Sequence, residues 1–259
     1  MRITPHRALH LLLEPNGTGA MHMRRDAALL EAHTDADPVR LRLYTWRPPA
    51  ISLGHMQRAA QVLDLAACAA NGVDVVQRPT GGRAVLHWEE ITYAVVASLR
   101  DERFGHRIAD AHAVIAECLA VGLDTLGIEV DFGRPVQGTV RDSTLAPCFA
   151  SSGRYEVLVR GRKLVGSAQR RNANAFLQHG SVLIGTAHEH LVDYLRLPNA
   201  AARSAAATQL RRATVTLDEI LGRRPDFATL AEALVSGFRR RLQAPLSRTG
   251  RSVRHTARR

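Results

Sequence analysis

Hydrophobic and polar residues alternate most regularly over Val39–Trp46 (Val-Arg-Leu-Arg-Leu-Tyr-Thr-Trp), which predicts a strand with one buried face. Shorter apolar runs predict further strands over 7–14, 73–77, 91–99 and 128–132. Met23, Ala27 and Leu30 recur at helical spacing, so 19–33 is expected to be a helix. A second helix is expected over 59–70, stopped by Asn71-Gly72, and a long one over 108–126, closed by Gly127. Residues 48–54 read as a turn. Residues 133–153 read as a loop rich in Gly, Pro, Ser and Thr, and a loop of that length in a compact domain is usually functional. A hairpin follows, with strands over 154–160 and from 163, then a third strand over 175–184. From about 188 to 242 the pattern is helical. The hairpins exclude a purely parallel sheet, so the fold class is mixed α/β.

At 259 residues, with 46% hydrophobic, one large domain is expected over 1–245. The segment 246–259 carries five arginines and no acid, and reads as a basic, disordered tail. No apolar run approaches the ~20 residues of a membrane helix, and Glu14-Pro15 interrupts the N-terminal apolar stretch too early for a signal peptide. A cytoplasmic protein is the expectation. The formal charge of +11 fits an acidic partner, either nucleic acid or an acidic carrier protein. Aromatic residues make up only 5%, which gives little support to base stacking.

The basic residues are almost all arginine: of 35 Lys and Arg, Lys163 is the single lysine. A buried amine can lose its proton where a guanidinium cannot. Chance also leaves a last lysine somewhere, so its setting decides. Lys163 opens a hairpin strand fifteen residues after Cys148, which lies in the long polar loop. A thiolate is a nucleophile, and a neighbouring ammonium favours it. Cys68 and Cys118 lie in apolar helical stretches and read as core. The block Arg78-Pro79-Thr80-Gly81-Gly82-Arg83-Ala84-Val85-Leu86-His87 pairs glycines, which allow close backbone approach, with arginines able to hold a phosphate or a phosphopantetheine arm. A plain hairpin turn would also account for it. Gly166-Ser167-Ala168 and His179-Gly180, on adjacent strands, are candidates to line one pocket, with His179 either a base or a structural histidine.

In order and spacing these segments resemble the biotin/lipoate protein ligase and octanoyltransferase superfamily over most of residues 20–185. The resemblance implies a central mixed or antiparallel sheet, a catalytic Lys163, and substrate contacts at Arg78, Thr80, Gly81, Gly82, Arg83, His87, Gly166, Ser167, Ala168, His179 and Gly180. Gly81-Gly82-Arg83 stands where ligases have three glycines. With Cys148 in the loop, this points to the cysteine-dependent octanoyltransferase branch, of the Gram-positive type that loads the glycine-cleavage H protein. The implied reaction moves an octanoyl group from octanoyl-acyl carrier protein, through an octanoyl-Cys148 thioester, to a lysine of a lipoyl domain or H protein. No cofactor, nucleic acid or membrane is implied. Lys163 would polarise the thioester and accept the amine's proton, aided by Arg162 beside it. The alternative is an ATP- and Mg-dependent lipoate ligase working through an acyl-adenylate.

Overall fold

The computed structural model describes residues 8–133 and 156–248. Their elements run, in chain order, β1 (Leu9–Gly17), α1 (Gly19–Glu31), β2 (Val39–Trp46), β3 (Ala50–Leu53), α2 (Ala59–Val62), α3 (Leu65–Ala70), β4 (Asp74–Gln77), β5 (Val85–His87), β6 (Glu90–Ser98), α4 (Ile108–Asp124), β7 (Asp131–Gly133), β8 (Glu156–Val159), β9 (Arg162–Arg171), β10 (Ala175–Leu183), α5 (Leu191–Tyr194), α6 (Ala200–Ala213), α7 (Leu217–Leu221), α8 (Phe227–Leu242) and β11 (Leu246–Arg248). Eight strands form one sheet in the order β11-β1-β2-β6-β10-β9-β8-β7, and three form a second in the order β4-β3-β5. The large sheet is mixed: β1 is parallel to β2 and β11, while β2, β6, β10 and β9 pair antiparallel in turn.

The alternation along β2 decides what each face of that sheet does, because successive side chains point to opposite faces. Leu41 and Leu43 join Tyr93 and Val95 of β6 and Phe176 and Val182 of β10 in the main core, where α4 and α8 cover them. Arg42, Tyr44 and Trp46 share the other face with Thr92 and Ala94 of β6 and with Leu177, His179 and Ser181 of β10. Helix α1 covers part of this second face through Met23 and Leu30. Its N-terminus is capped by Thr18, whose hydroxyl accepts from Met21 N. The small sheet covers the rest, and its outer side packs Ile51, Leu53 and Leu86 against Leu63, Leu191 and Leu195. The helical region after 188 is therefore divided between the two sheets: α5 packs outside the small one and α8 behind the large one.

The structure departs from the pattern-based reading in three places. Residues 50–53 form a strand, the central one of the small sheet, where a turn was expected. All four are buried, so the strand shows no alternation, and Pro48-Pro49 just before it hides its start. The helix expected over 59–70 is two, because Asp64 caps the second by accepting from Ala66 N and Ala67 N. Leu246–Arg248 pairs with β1 as an edge strand, so the ordered unit runs past the expected boundary at 245. Cys68 and Cys118 are buried, and burial pushes the Cys118 thiol up to about 12. Cys148 lies outside the described residues. Among those described, no helix is long and apolar enough to cross a membrane.

Helices α4 and α8 approach closely through two glycines. A Cβ at Gly237 would stand 2.2 Å from the Cys118 carbonyl oxygen and 2.4 Å from Gly122 N, both backbone atoms that cannot swing away. Gly237→Ala is expected to destabilise the protein by about 3 kcal/mol, the upper end of overpacking costs, read as a lower midpoint in urea unfolding with an unchanged slope.

Candidate functional site

Between the two sheets lies a cavity. Its wall is built where the polar-face residues of the large sheet meet β3, β5 and the loop that joins β4 to β5. Lys163 reaches it from β9. The residue is 2% exposed, and its Nζ lies 2.9 Å from Glu156 Oε1 on β8. The Lys163 carbonyl accepts from Val215 N, which pins the start of the strand. Arg162 is not beside the amine, contrary to expectation: its guanidinium turns to the Thr214 carbonyl at 2.7 Å and to the Glu219 carboxylate. The amine is thus held by a buried carboxylate that sequence reasoning did not pick out. Glu156 follows Cys148 by eight residues in the sequence.

The Gly81-Gly82 segment is not a hairpin turn. Strands β4 and β5 flank β3, so the connection must cross the end of the small sheet. Gly82 adopts φ +96°, and a Cβ at Gly54, just after β3, would meet the Gly82 carbonyl oxygen at 2.0 Å. That close approach requires glycine at 54, and Gly82 supplies a backbone angle L-residues resist. Arg78 is 4% exposed and organises the loop from inside. Its guanidinium donates to the carbonyls of Ser52 (2.8 Å), Gly81 (2.8 Å) and Arg83 (2.7 Å) and to Ser52 Oγ (3.1 Å). This guanidinium is committed to the protein's own oxygens, whereas the sequence suggested a phosphate clamp.

Two histidines face the cavity, each between a hydroxyl and a carboxylate. His179 Nδ1 lies 2.9 Å from Asp26 Oδ2, and its Nε2 lies 2.7 Å from Thr80 Oγ1. Burial pushes the His179 pKa below the ordinary histidine value, against the pull of Asp26. Burial alone would raise the pKa of Asp26, but the His179 hydrogen bond and the Arg42 guanidinium outweigh it and hold the carboxyl below its usual range. An ionised Asp26 only accepts, so Nδ1 carries the proton and Nε2 accepts from Thr80. His87 Nδ1 lies 2.9 Å from Glu90 Oε1, and its Nε2 lies 2.7 Å from Ser52 Oγ. The His87 ring stacks on Trp46 at 4.0 Å between centroids.

Not every predicted residue offers its side chain to the cavity. Gly166 and Ala168 pair with Ser181 and His179 and share their face. Ser167 pairs with Gly180 instead, and its hydroxyl lies 2.6 Å from the Tyr93 hydroxyl, on the core face. What Ser167 presents to the cavity is backbone. Of the remaining predicted contacts, Arg83 offers its carbonyl to Arg78. Asp26, Arg42, Ser52, Glu90 and Glu156 were not picked out from sequence. Buried acids inside helical or strand patterns are the signal that was available, and for Asp26 the partners lie 16 to 153 positions away.

Comparison with known proteins follows this geometry. The family described as Lipoyl protein ligase A/B catalytic domain matches residues 18–239. An octanoyltransferase LipM of Kyrpidia tusciae is 40% identical over 240 residues, which is 91% of this chain and 88% of that one. The octanoyltransferase LipM of Bacillus subtilis is 32% identical over 86% of this chain and 82% of its own. Among solved structures, a bipartite lipoate protein ligase from Thermoplasma acidophilum superposes with a TM-score of 0.76 at 23% identity, over 95% of this chain and 88% of that one. A lipoate-protein ligase A bound with ATP gives 0.74 at 21% identity, over 95% and 90%. Both structural likenesses speak for the fold.

Asp26→Asn would leave Arg42, 1% exposed, with Glu14 as its remaining carboxylate. A loss of about 3 kcal/mol is expected, since breaking a buried pair strands a charge, measurable by urea unfolding at pH 7. In the wild type, stability should decline as pH falls below about 6.5, because the unfolded chain then binds a proton that neutral, buried His179 does not. The share owed to Asp26 is lost only further down, as pH falls below 3.8 toward its depressed folded value.

Proposed function

The chain belongs to the lipoyl protein ligase A/B catalytic family and is an octanoyltransferase, an acyltransferase, and from that premise we propose that it carries an octanoyl group from octanoyl-acyl carrier protein to a lysine of a lipoyl domain or H protein through an acyl-Cys148 thioester. The observation that carries this reading is the position of Lys163: an amine 2% exposed, held by Glu156, at the wall of a cavity whose other lining is largely apolar. Met23, Tyr44, Trp46 and Val85 supply that apolar lining and would bury the acyl chain, each methylene contributing ~0.8 kcal/mol.

In the first half-reaction the Cys148 thiolate attacks the donor thioester. The ammonium of Lys163 polarises the carbonyl and favours the thiolate. Backbone amides around Gly81, Gly82 and Gly166 are the candidates to stabilise the developing oxyanion. One thioester replaces another, so no ATP is required. In the second half-reaction the acceptor amine attacks the acyl-enzyme, and forming an amide from a thioester drives the transfer forward. The excess of basic residues suits an acidic carrier and an acidic acceptor in the cytoplasm.

Intact mass after mixing with octanoyl-carrier protein, without ATP, tests the reading. An octanoyl adduct is expected on the wild type and absent from Cys148→Ala. An adduct persisting in the variant, or activity appearing only with ATP, would refute it. Lys163→Arg keeps a charge but not the compact ammonium that points at the carbonyl. Both half-reactions should slow roughly a hundredfold, the scale of losing one preorganised group that polarises the carbonyl. Val85→Phe should lower kcat/KM for octanoyl relative to butanoyl donors by about fifteenfold, as two methylenes lose their room.

A further inference from the structure

The Ser52–His87–Glu90 cluster has a hydrogen-bond direction that its neighbours dictate. Arg78 can only donate, so Ser52 Oγ accepts from it at 3.1 Å and keeps its own proton for another partner. The Glu90 carboxylate can only accept, so His87 Nδ1, 2.9 Å away, carries the imidazole proton. His87 Nε2 is then an acceptor, and the Ser52 hydroxyl donates to it across 2.7 Å. This is the polarity of a serine–histidine–carboxylate relay. Every member is buried: Ser52 is 0%, His87 6% and Glu90 4% exposed. Stacking on Trp46 holds the His87 ring in its plane. Ser52 and His87 line the same cavity as Lys163 and Gly166.

Glu90 accepts at Oε1 from Thr92 and His87, while its Oε2 has no hydrogen-bond partner among the described residues. A buried carboxylate so placed costs stability unless it stabilises a charge that appears later. A proton arriving at His87 Nε2 makes the imidazolium beside Glu90 and supplies that charge.

We propose that Ser52, His87 and Glu90 form the proton relay for the amine half-reaction, with Glu90 as the positioning residue; this rests on the octanoyl-transfer reading above. The acceptor lysine enters as the neutral amine. Its nitrogen attacks the acyl thioester carbonyl and the N–C bond forms. The amine's proton passes to Ser52 Oγ as the Ser52 proton moves to His87 Nε2. The C–S bond breaks with the sulfur leaving as thiolate, and the proton on His87 returns through Ser52 Oγ to solvent. The products are an amide, a thiolate and a proton, and the relay ends as it began. Lys163 keeps the task of polarising the thioester. The acylation step, in which a thiolate attacks, has no amine proton to remove and does not need the relay.

The test uses the full chain and two variants that cut the relay at opposite ends, Ser52→Ala and Glu90→Gln. The acyl-enzyme is formed with octanoyl-carrier protein and then mixed either with a lipoyl domain or with hydroxylamine, a nucleophile reactive enough to need little base assistance. In both variants the single-turnover rate with the lipoyl domain should fall roughly a hundredfold. It should fall at least tenfold further than the rate with hydroxylamine, and raising the pH should recover part of it. Equal losses with both nucleophiles would mean a structural role and overturn the relay, as would wild-type rates in either variant. If no acyl-enzyme forms in the wild type, the Cys148 reading fails by itself. The relay is then judged by the same ratio, measured as attack of each nucleophile on octanoyl-carrier protein in the presence of enzyme.

Discussion

The carboxylate of Asp26 is wholly buried between α1 and the large sheet, and the geometry of the site is referenced to it. Removing a charge from water costs several kcal/mol, which only close and well-directed partners offset. Asp26 has three: the Arg42 guanidinium and the Tyr44 hydroxyl from β2, and His179 from β10. His179 in turn accepts from Thr80, and so draws the glycine loop onto the sheet. One carboxylate therefore sets the position of a helix against two strands and, through an imidazole, the position of a loop contributed from elsewhere in the chain. Arg42 extends the network outward to Glu14 and His22. Slack in this cluster would pass directly into the spacing between the cavity's two walls.

The two faces of the large sheet carry different burdens. Behind it, α4 and α8 pack a continuous apolar core whose closest contact runs between glycines. In front, the side chains that would ordinarily be core are polar: Arg42 and His179 pair with Asp26 on α1, Ser181 with His87 on the small sheet, and Thr92 with Trp46 and Glu90 within the large sheet. A polar layer of this kind is stable only when its members are satisfied, and among the described residues only His33 and Glu90 hold a buried side-chain atom without a partner. The apolar face supplies most of the favourable burial, which lets the other face hold chemistry at some cost to stability.

Much of this was legible in the amino-acid pattern. Strand β2 was found with its bounds, since one face is apolar and the other is not. The hairpin carrying Lys163 and the strand after it were placed within a few residues, because Gly161 and a change of period mark the turn. Strand β3 was missed because all four of its residues are buried, which removes the alternation that identifies strands. The site was legible where a residue was rare or a motif local, as with Lys163 and the Gly81-Gly82 block. It was illegible where function depends on pairing at a distance. Nothing near Asp26 in the chain names His179, 153 positions on, and nothing near Ser52 names His87. The carbonyl contacts of Arg78 were not legible, because an arginine that binds carbonyls and one that binds phosphate look alike in sequence.

The scarcity of lysine has a consequence for the enzyme's own integrity. On the proposed route, an acyl thioester awaiting attack by an ε-amine would be exposed to that attack from the protein's own surface. This chain has one ε-amine, 2% exposed and held by Glu156, and arginine at the other 34 basic positions. Guanidinium keeps the positive charge, and it stays protonated and therefore non-nucleophilic. Under the proposed mechanism the composition would protect the catalyst from labelling itself, since an acyl group on the enzyme would have no exposed lysine side chain of its own to reach before the acceptor's.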